Sequence, residues 1–133
     1  MTKKLVTQIS YDIIGAAIKV HKKLGPGLLE SVYEKCLKHE LEKNGHHVLQ
    51  QVSTPIQYDD LSLDTNLRLD LLVDDMVVVE IKAMEHMLPV HEAQLLTYMK
   101  LLKKPQGLLI NFFTENISKS MKPLVNEYFA ALE

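Results

Sequence analysis

Between Gln8 and Lys23 the apolar residues Ile9, Ile13, Ala16 or Ala17, and Val20 recur at helical spacing, which predicts a helix with Ser10 or Thr7 as its N-cap. Gly25-Pro26-Gly27 breaks it. A second helix is predicted over roughly Leu28 to Lys43, with Leu29, Val32, Cys36, Leu37 and Leu41 on one stripe and Asn44-Gly45 as its stop. The pattern then changes to strands. Val48 to Tyr58 is the first, and Pro55 within it suggests an edge or a bulge. Asp59-Asp60 turns into a second, about Leu63 to Val73, and Asp74-Asp75 into a third, about Met76 to Lys82. A helix over about Val90 to Lys103 follows Pro89, and Lys104-Pro105-Gln106-Gly107 ends it. Leu108 to Phe113 reads as a buried strand and Pro123 to Leu132 as a short amphipathic helix. The order α-α-β-β-β-α-β-α, with a helix between the third and fourth strands, favours a parallel crossover. The expected fold is therefore α/β, a mixed sheet of about four strands flanked by helices.

The two runs RLDLLV and VVVEIK carry charges where apolar strands should carry none: Asp70 in the first, Glu80 and Lys82 in the second. A buried charge costs several kcal/mol unless it is paired or bound to a metal. Alternation puts Glu80 and Lys82 on one face of their strand. Whether Asp70 joins them depends on the hairpin. A two-residue Asp74-Asp75 loop sets Asp70 against Val79, whereas a connection of Asp74-Asp75-Met76 sets it against Glu80. The longer loop is the expected one, because it gathers the three charges and leaves Leu69, Leu71, Val77, Val79 and Ile81 for the core. Two carboxylates and the backbone carbonyl of Ile81 suit Mg²⁺, a hard ion that takes oxygen ligands and keeps several waters. The plainer alternative is a Glu80–Lys82 ion pair on an exposed strand face.

A series of motifs sharpens this. GLLESVY (Gly27 to Tyr33), RLDLLV, VVVEIKA and HEAQLLTYMKLL together resemble a small bacterial and archaeal family with the signature GxxExxY. That family lies in the PD-(D/E)xK superfamily of restriction-endonuclease-like folds. The resemblance runs from about Ser10 to Phe113. It implies a catalytic set of Glu30, Asp70, Glu80, Lys82, Gln94 and Tyr98, with Glu30, Asp70, Glu80 and the Ile81 carbonyl as ligands of Mg²⁺ (or Mn²⁺). Gln94 and Tyr98 resemble the QxxxY element of RecB-like nucleases, and their four-residue spacing puts them on one helix face. Leu69 stands where the superfamily's nominal proline would be. Each helix residue has a structural alternative. Glu30 sits in a first turn, where the helix dipole favours a carboxylate. Tyr33 and Tyr98 could be core aromatics, and Gln94 an ordinary solvent-facing residue.

Composition narrows the field further. With 133 residues, 47% apolar and 24% charged, the chain fits one domain, residues 1–133. A net charge of −2 argues against a histone-like polyanion binder but permits a local basic rim. Lone Cys36 excludes an internal disulfide, and the six histidines lack zinc spacing. No apolar run reaches membrane-spanning length, so a cytoplasmic location is the expectation. Three functions follow in order: a Mg²⁺-dependent nuclease acting on DNA, a nucleic-acid-binding or processing accessory whose site needs a partner, and a non-enzymatic module. The last would form a homodimer or bind a protein partner through the apolar tail around Leu124, Tyr128, Phe129 and Leu132.

Overall fold

The computed structural model describes residues 1–65 and 67–133. Helix α1 (Lys3–Leu24) starts earlier than the periodicity suggests, because Thr2 caps it: its hydroxyl accepts from the Leu5 N–H at 3.1 Å. Its buried stripe is Val6, Ile9, Ile13, Ala16, Ala17 and Val20. Gly25 ends it at φ 70, in the left-handed region that glycine enters freely. Helix α2 (Glu30–Lys43) ends at Asn44-Gly45 as expected. Its buried stripe is rotated from the expected one. Tyr33, Leu37 and Leu41 face inward together with Glu34 and Glu40, while Leu29 and Val32 are exposed.

The expected first strand is two strands. β1 (Val48–Ser53) stops before Pro55, and β2 (Ile56–Tyr58) pairs with β3 (Leu61–Leu63) in a separate hairpin. Proline removes a ladder donor, so the break falls where sequence placed an edge or bulge. The expected second strand, Leu63 to Val73, spans Asn66, which lies outside the described residues; β4 occupies Arg68–Val73. β5 (Val77–Lys82), α3 (Pro89–Leu102) and β6 (Gln106–Asn111) follow. The C-terminal segment departs from expectation. Met121–Val125 forms β7 after a short turn of 3-10 helix (Ile117–Lys119), and only Glu127–Ala130 is helical, as α4. Pro123 is tolerated there because β7 pairs only with β6 and lies at the sheet edge.

The sheet has the order β1-β4-β5-β6-β7, antiparallel except for the parallel pair β5–β6 that α3 connects. A restriction-endonuclease-like mixed α/β architecture is thus present, with one strand more than expected and an added hairpin. Helices α1 and α2 cover one face over Leu71, Val73, Val77, Val79, Ile81, Leu108 and Ile110. α3 covers the other over Leu72, Val78 and Leu109. Phe129 and Leu132 pack on the first core and Leu124 on the second, so the apolar tail is used by the chain's own sheet. At Gly107 a Cβ atom would stand 2.7 Å from Met99 Sδ and 3.0 Å from the Leu95 side chain, so α3 rests almost directly on the β6 backbone.

Candidate active site

β5 is the central strand, buried along both faces, and two of its residues are charged. The hairpin register decides what they meet. Val73 pairs with Val77 and Leu71 with Val79, so the connection is Asp74-Asp75-Met76 and the next pair in sequence is Asp70 with Glu80. The longer loop expected from the sequence is the one found. At this step the two strands part. No β4–β5 pair is present beyond Leu71↔Val79 among the described residues, and side chains take over from the ladder. The Ile81 N–H donates to Asp70 Oδ2 at 2.7 Å, and the Asp70 N–H donates to Glu80 Oε1 at 3.1 Å.

Opening this fork disturbs the alternation of β4. Leu71 belongs to the core under α1 and α2, yet Leu69, two residues away, belongs to the core under α3. A regular strand would send both to one face. Leu69 therefore leaves the core it was expected to share with Leu71, Val77, Val79 and Ile81. Asp70, between them, lies in the gap and is reached from both sides of the sheet. The Lys82 carbonyl accepts from the Phe112 N–H, one residue past β6, at 2.8 Å. By alternation the Ile81 carbonyl is turned the other way, into the gap toward β4.

From the α2 side, the buried Glu34 approaches. Its Oε2 accepts from Gln50 Nε2, and its Oε1 accepts from Gln51 Nε2 at 2.8 Å. Gln51 Nε2 also lies 3.4 Å from Asp70 Oδ1, so one carboxamide bridges two carboxylates. Gln51 has φ 54, a left-handed conformation in mid-strand that costs a non-glycine residue of order 1–3 kcal/mol. From the α3 side comes Tyr98, buried against Leu69, Leu72 and Val78.

The electrostatics follow from this burial. Glu80 is pushed up to about 8 by burial first and by the charge of Asp70 second; the Asp70 N–H and Lys82 oppose the shift. Asp70 is pushed up to about 6, again mainly by burial, with Glu34 adding to the shift and the Ile81 N–H and Lys82 opposing it. The Tyr98 hydroxyl is raised by burial first and by the charges of Glu80 and Asp70 second. Lys82, half-buried, is the cation that moderates both carboxylates.

The other expected site residues are placed differently. Glu30 is exposed and its Oε1 accepts from the Ala83 N–H at 3.3 Å, beyond the end of β5. Gln94 is exposed on α3, while Tyr98 on the same helix is buried. Tyr33 is a core aromatic: it stacks on Phe112 at 4.4 Å, donates to the Gly25 carbonyl and accepts from the Leu28 N–H. Among the described residues, no three His, Cys, Asp or Glu side chains are grouped as a ready-made metal cage. Sequence reasoning passed over Glu34, Gln50 and Gln51. The spacing Glu34, Leu37, Leu41 would have put Glu34 on the inner face. The left-handed turn at Gln51 has no such signal.

A model of the PD-(D/E)XK nuclease superfamily matches residues 7–124. The chain belongs to this superfamily. Comparisons with curated proteins and with solved structures returned no match. The matched span takes in α2, the fork and α3, so every side chain described above lies within the superfamily region. PD-(D/E)XK nucleases generally use divalent metals, and membership implies interaction with nucleic acid. No helix among the described residues is long and apolar enough to cross a membrane.

Proposed function

We propose that the chain is a nuclease that hydrolyses DNA phosphodiester bonds with Mg²⁺ (or Mn²⁺), and that within the superfamily it is of the GxxExxY type, working in the cytoplasm. The observation that carries this reading is the fork itself. Asp70 and Glu80 meet across β4 and β5 at the step where backbone pairing ends, and Lys82 follows on the same face of β5. The donor set fits Mg²⁺. That ion takes one or two carboxylates, keeps its waters and is completed by substrate phosphate, so it needs no three-carboxylate cage. Two buried carboxylates that hold protons unusually tightly lack positive charge, which a dication would supply.

Asp70, Glu80 and the Ile81 carbonyl would hold the ion, with Glu30 nearby at the end of β5. When bound, the ion polarises a phosphoryl oxygen and makes a water more acidic. Lys82 orients the attacking water and stabilises charge developing on the phosphoryl oxygens. Tyr98 walls the α3 side of the fork and keeps it dry, and Gln94, exposed one turn earlier, offers its amide to the substrate backbone.

The test is incubation of purified protein with single- and double-stranded DNA and RNA, with Mg²⁺, with Mn²⁺ and with chelator. Cleavage of DNA that needs the metal is expected. Absence of turnover on every substrate overturns the active-nuclease reading, and a salt-sensitive gel shift in that case would identify a binding accessory instead.

A further inference from the structure

We infer that the β2–β3 hairpin is a docking arm for a second copy of this chain, and that it seats in the groove between that copy's α1 and α2. The register of the ribbon shows why it needs a cover. Ile56 lies opposite Leu63, Tyr58 opposite Leu61, and Gln57 opposite Ser62. Alternation therefore puts the four apolar side chains on one face and the polar pair on the other. Among the described residues nothing buries that apolar face. Tyr58 is 69% exposed, Leu61 53% and Leu63 41%, and none of the four belongs to either core. A two-stranded ribbon is marginal in water unless an apolar face packs on something. Its base is nonetheless fixed to the main sheet: the Thr54 N–H donates to the Leu67 carbonyl at 2.9 Å, and the Thr65 hydroxyl to the Thr54 carbonyl at 2.9 Å. The arm is held out with its apolar side uncovered.

Charge selects the occupant. Between Thr54 and Leu67 the chain carries Asp59, Asp60 and Asp64 and no basic residue, so nucleic-acid phosphates repel the arm. A complementary surface lies on the same molecule. The groove between α1 and α2 is lined by the apolar side chains of Val20, Leu24 and Cys36, and Lys23 and Lys35 stand exposed in the same lining. The acid there, Glu40, is already paired, with Lys19 at 3.0 Å and Lys43 at 3.7 Å. The groove offers about 230 Å³. A cavity of roughly 150 Å³ takes a benzene ring, so the Tyr58 ring fits. With Tyr58 inserted, Asp59 and Asp60, beside it at the tip of the ribbon, come to the two lysines. Two ribbons packed face to face would bring like-charged aspartates together instead. Arm and groove are different patches of one chain, so about a two-fold axis the contact forms twice and closes as a dimer.

The experiment is sedimentation equilibrium of the full chain at low and high salt, on wild type and on variants first shown by thermal melting to be folded. The variants are Tyr58→Ser, Leu61→Ser, the pair Lys23→Glu with Lys35→Glu, the pair Asp59→Lys with Asp60→Lys, and the two pairs combined. Wild type is expected to be a dimer that loosens as salt rises. Tyr58→Ser and Leu61→Ser are each expected to weaken it at least about tenfold. Either charge-reversed pair is expected to weaken it by a similar factor, and the combined protein to regain most of the wild-type affinity, because the exchanged charges attract again. If a hairpin variant does not fold, the lysine pair, which lies on other elements, is read in its place. A wild type that is monomeric at every concentration overturns the inference. A dimer indifferent to Tyr58→Ser and Leu61→Ser overturns the arm, and one that is lost in those variants but untouched by the lysine pair overturns the groove as its seat. A monomer whose salt-sensitive gel shift with DNA weakens in Tyr58→Ser would assign the arm to nucleic acid instead and overturn the inference as well.

Discussion

The two ends of the β4–β5 hairpin are built from the same residue types and solve opposite problems. At the turn, Asp74 and Asp75 both adopt left-handed conformations, and each finds a cationic or amide partner. Asp74 bonds to the His46 ring and accepts from the His47 N–H at 2.8 Å; the other nitrogen of His46 lies 3.1 Å from Asp12; Asp75 pairs with Lys104 at 2.8 Å. At the fork, six residues or fewer along each strand, Asp70 and Glu80 are held by backbone N–H groups and face each other and Glu34. The first end satisfies its charges and locks a turn. The second crowds carboxyls inside a sheet, where negative charge is in excess once they ionise, and so holds their protons unusually tightly.

Substitutions at the two ends should therefore act on different properties. The largest effect is expected at the fork on turnover: Lys82→Ala or Glu80→Ala should lower metal-dependent DNA cleavage about 10²–10³-fold in a single-turnover assay. Their far-ultraviolet circular dichroism should stay that of wild type. At the turn, His46→Ala should lower stability by about 1–3 kcal/mol in urea denaturation, because it strips partners from Asp12 and Asp74, and should leave Mn²⁺ affinity unaltered. A stable His46→Ala protein with weakened metal binding would erase the distinction between the ends.

A third expectation concerns pH. Because the folded state raises both carboxyls above their ordinary values, it binds protons more tightly than the unfolded chain. The stability they contribute is complete below about 4 and is lost as pH rises through about 6 and then about 8. The melting temperature of metal-free protein should fall over that window, while metal affinity rises as protons leave. Glu80→Gln keeps the shape and removes the charge; it should flatten the profile and stabilise the metal-free protein at pH 8 by about 1 kcal/mol or more. A wild-type melting temperature that rises steadily over the same range would contradict the assignment of excess charge to the fork. The smallest effect belongs to Lys104→Ala, whose partner Asp75 is largely exposed; a loss of about 0.2–1 kcal/mol is expected in the same denaturation experiment.

Much of the fork was legible in the sequence because hairpin register follows from the length of the connection, even though the alternation of β4 breaks at Leu69. Once Asp74-Asp75-Met76 is taken as the connection, Asp70 must face Glu80. The parallel β5–β6 pair was legible for a similar reason, since a helix between two strands leaves few other routes. The expected α2 stripe is off at Leu29 and Val32, which are apolar but exposed, whereas Cys36 does pack on the core and the helix turns Tyr33 and Glu34 to the sheet as well. A residue-type pattern cannot show a carboxylate taking a core position when tertiary partners receive it. The end of the chain was misread for a different reason. Pro123 and Leu124 fit a helix start as well as an edge strand, and only the free side of β6 decides between them. The kink at Gln51 depends on two side chains distant in sequence, Glu34 and Asp70, and no local pattern encodes it.

The bare backbone of Gly107 beneath Met99 and Leu95 has a consequence for the far wall of the fork. Tyr98 sits on the same turn of α3 as these two residues, so how closely its ring packs on Leu69, Leu72 and Val78 is set by how low the helix can settle on β6. Any side chain at 107 would act as a spacer under that helix, pressing on Met99 and Leu95 and shifting Tyr98 with them, although no residue of the charged set had been touched.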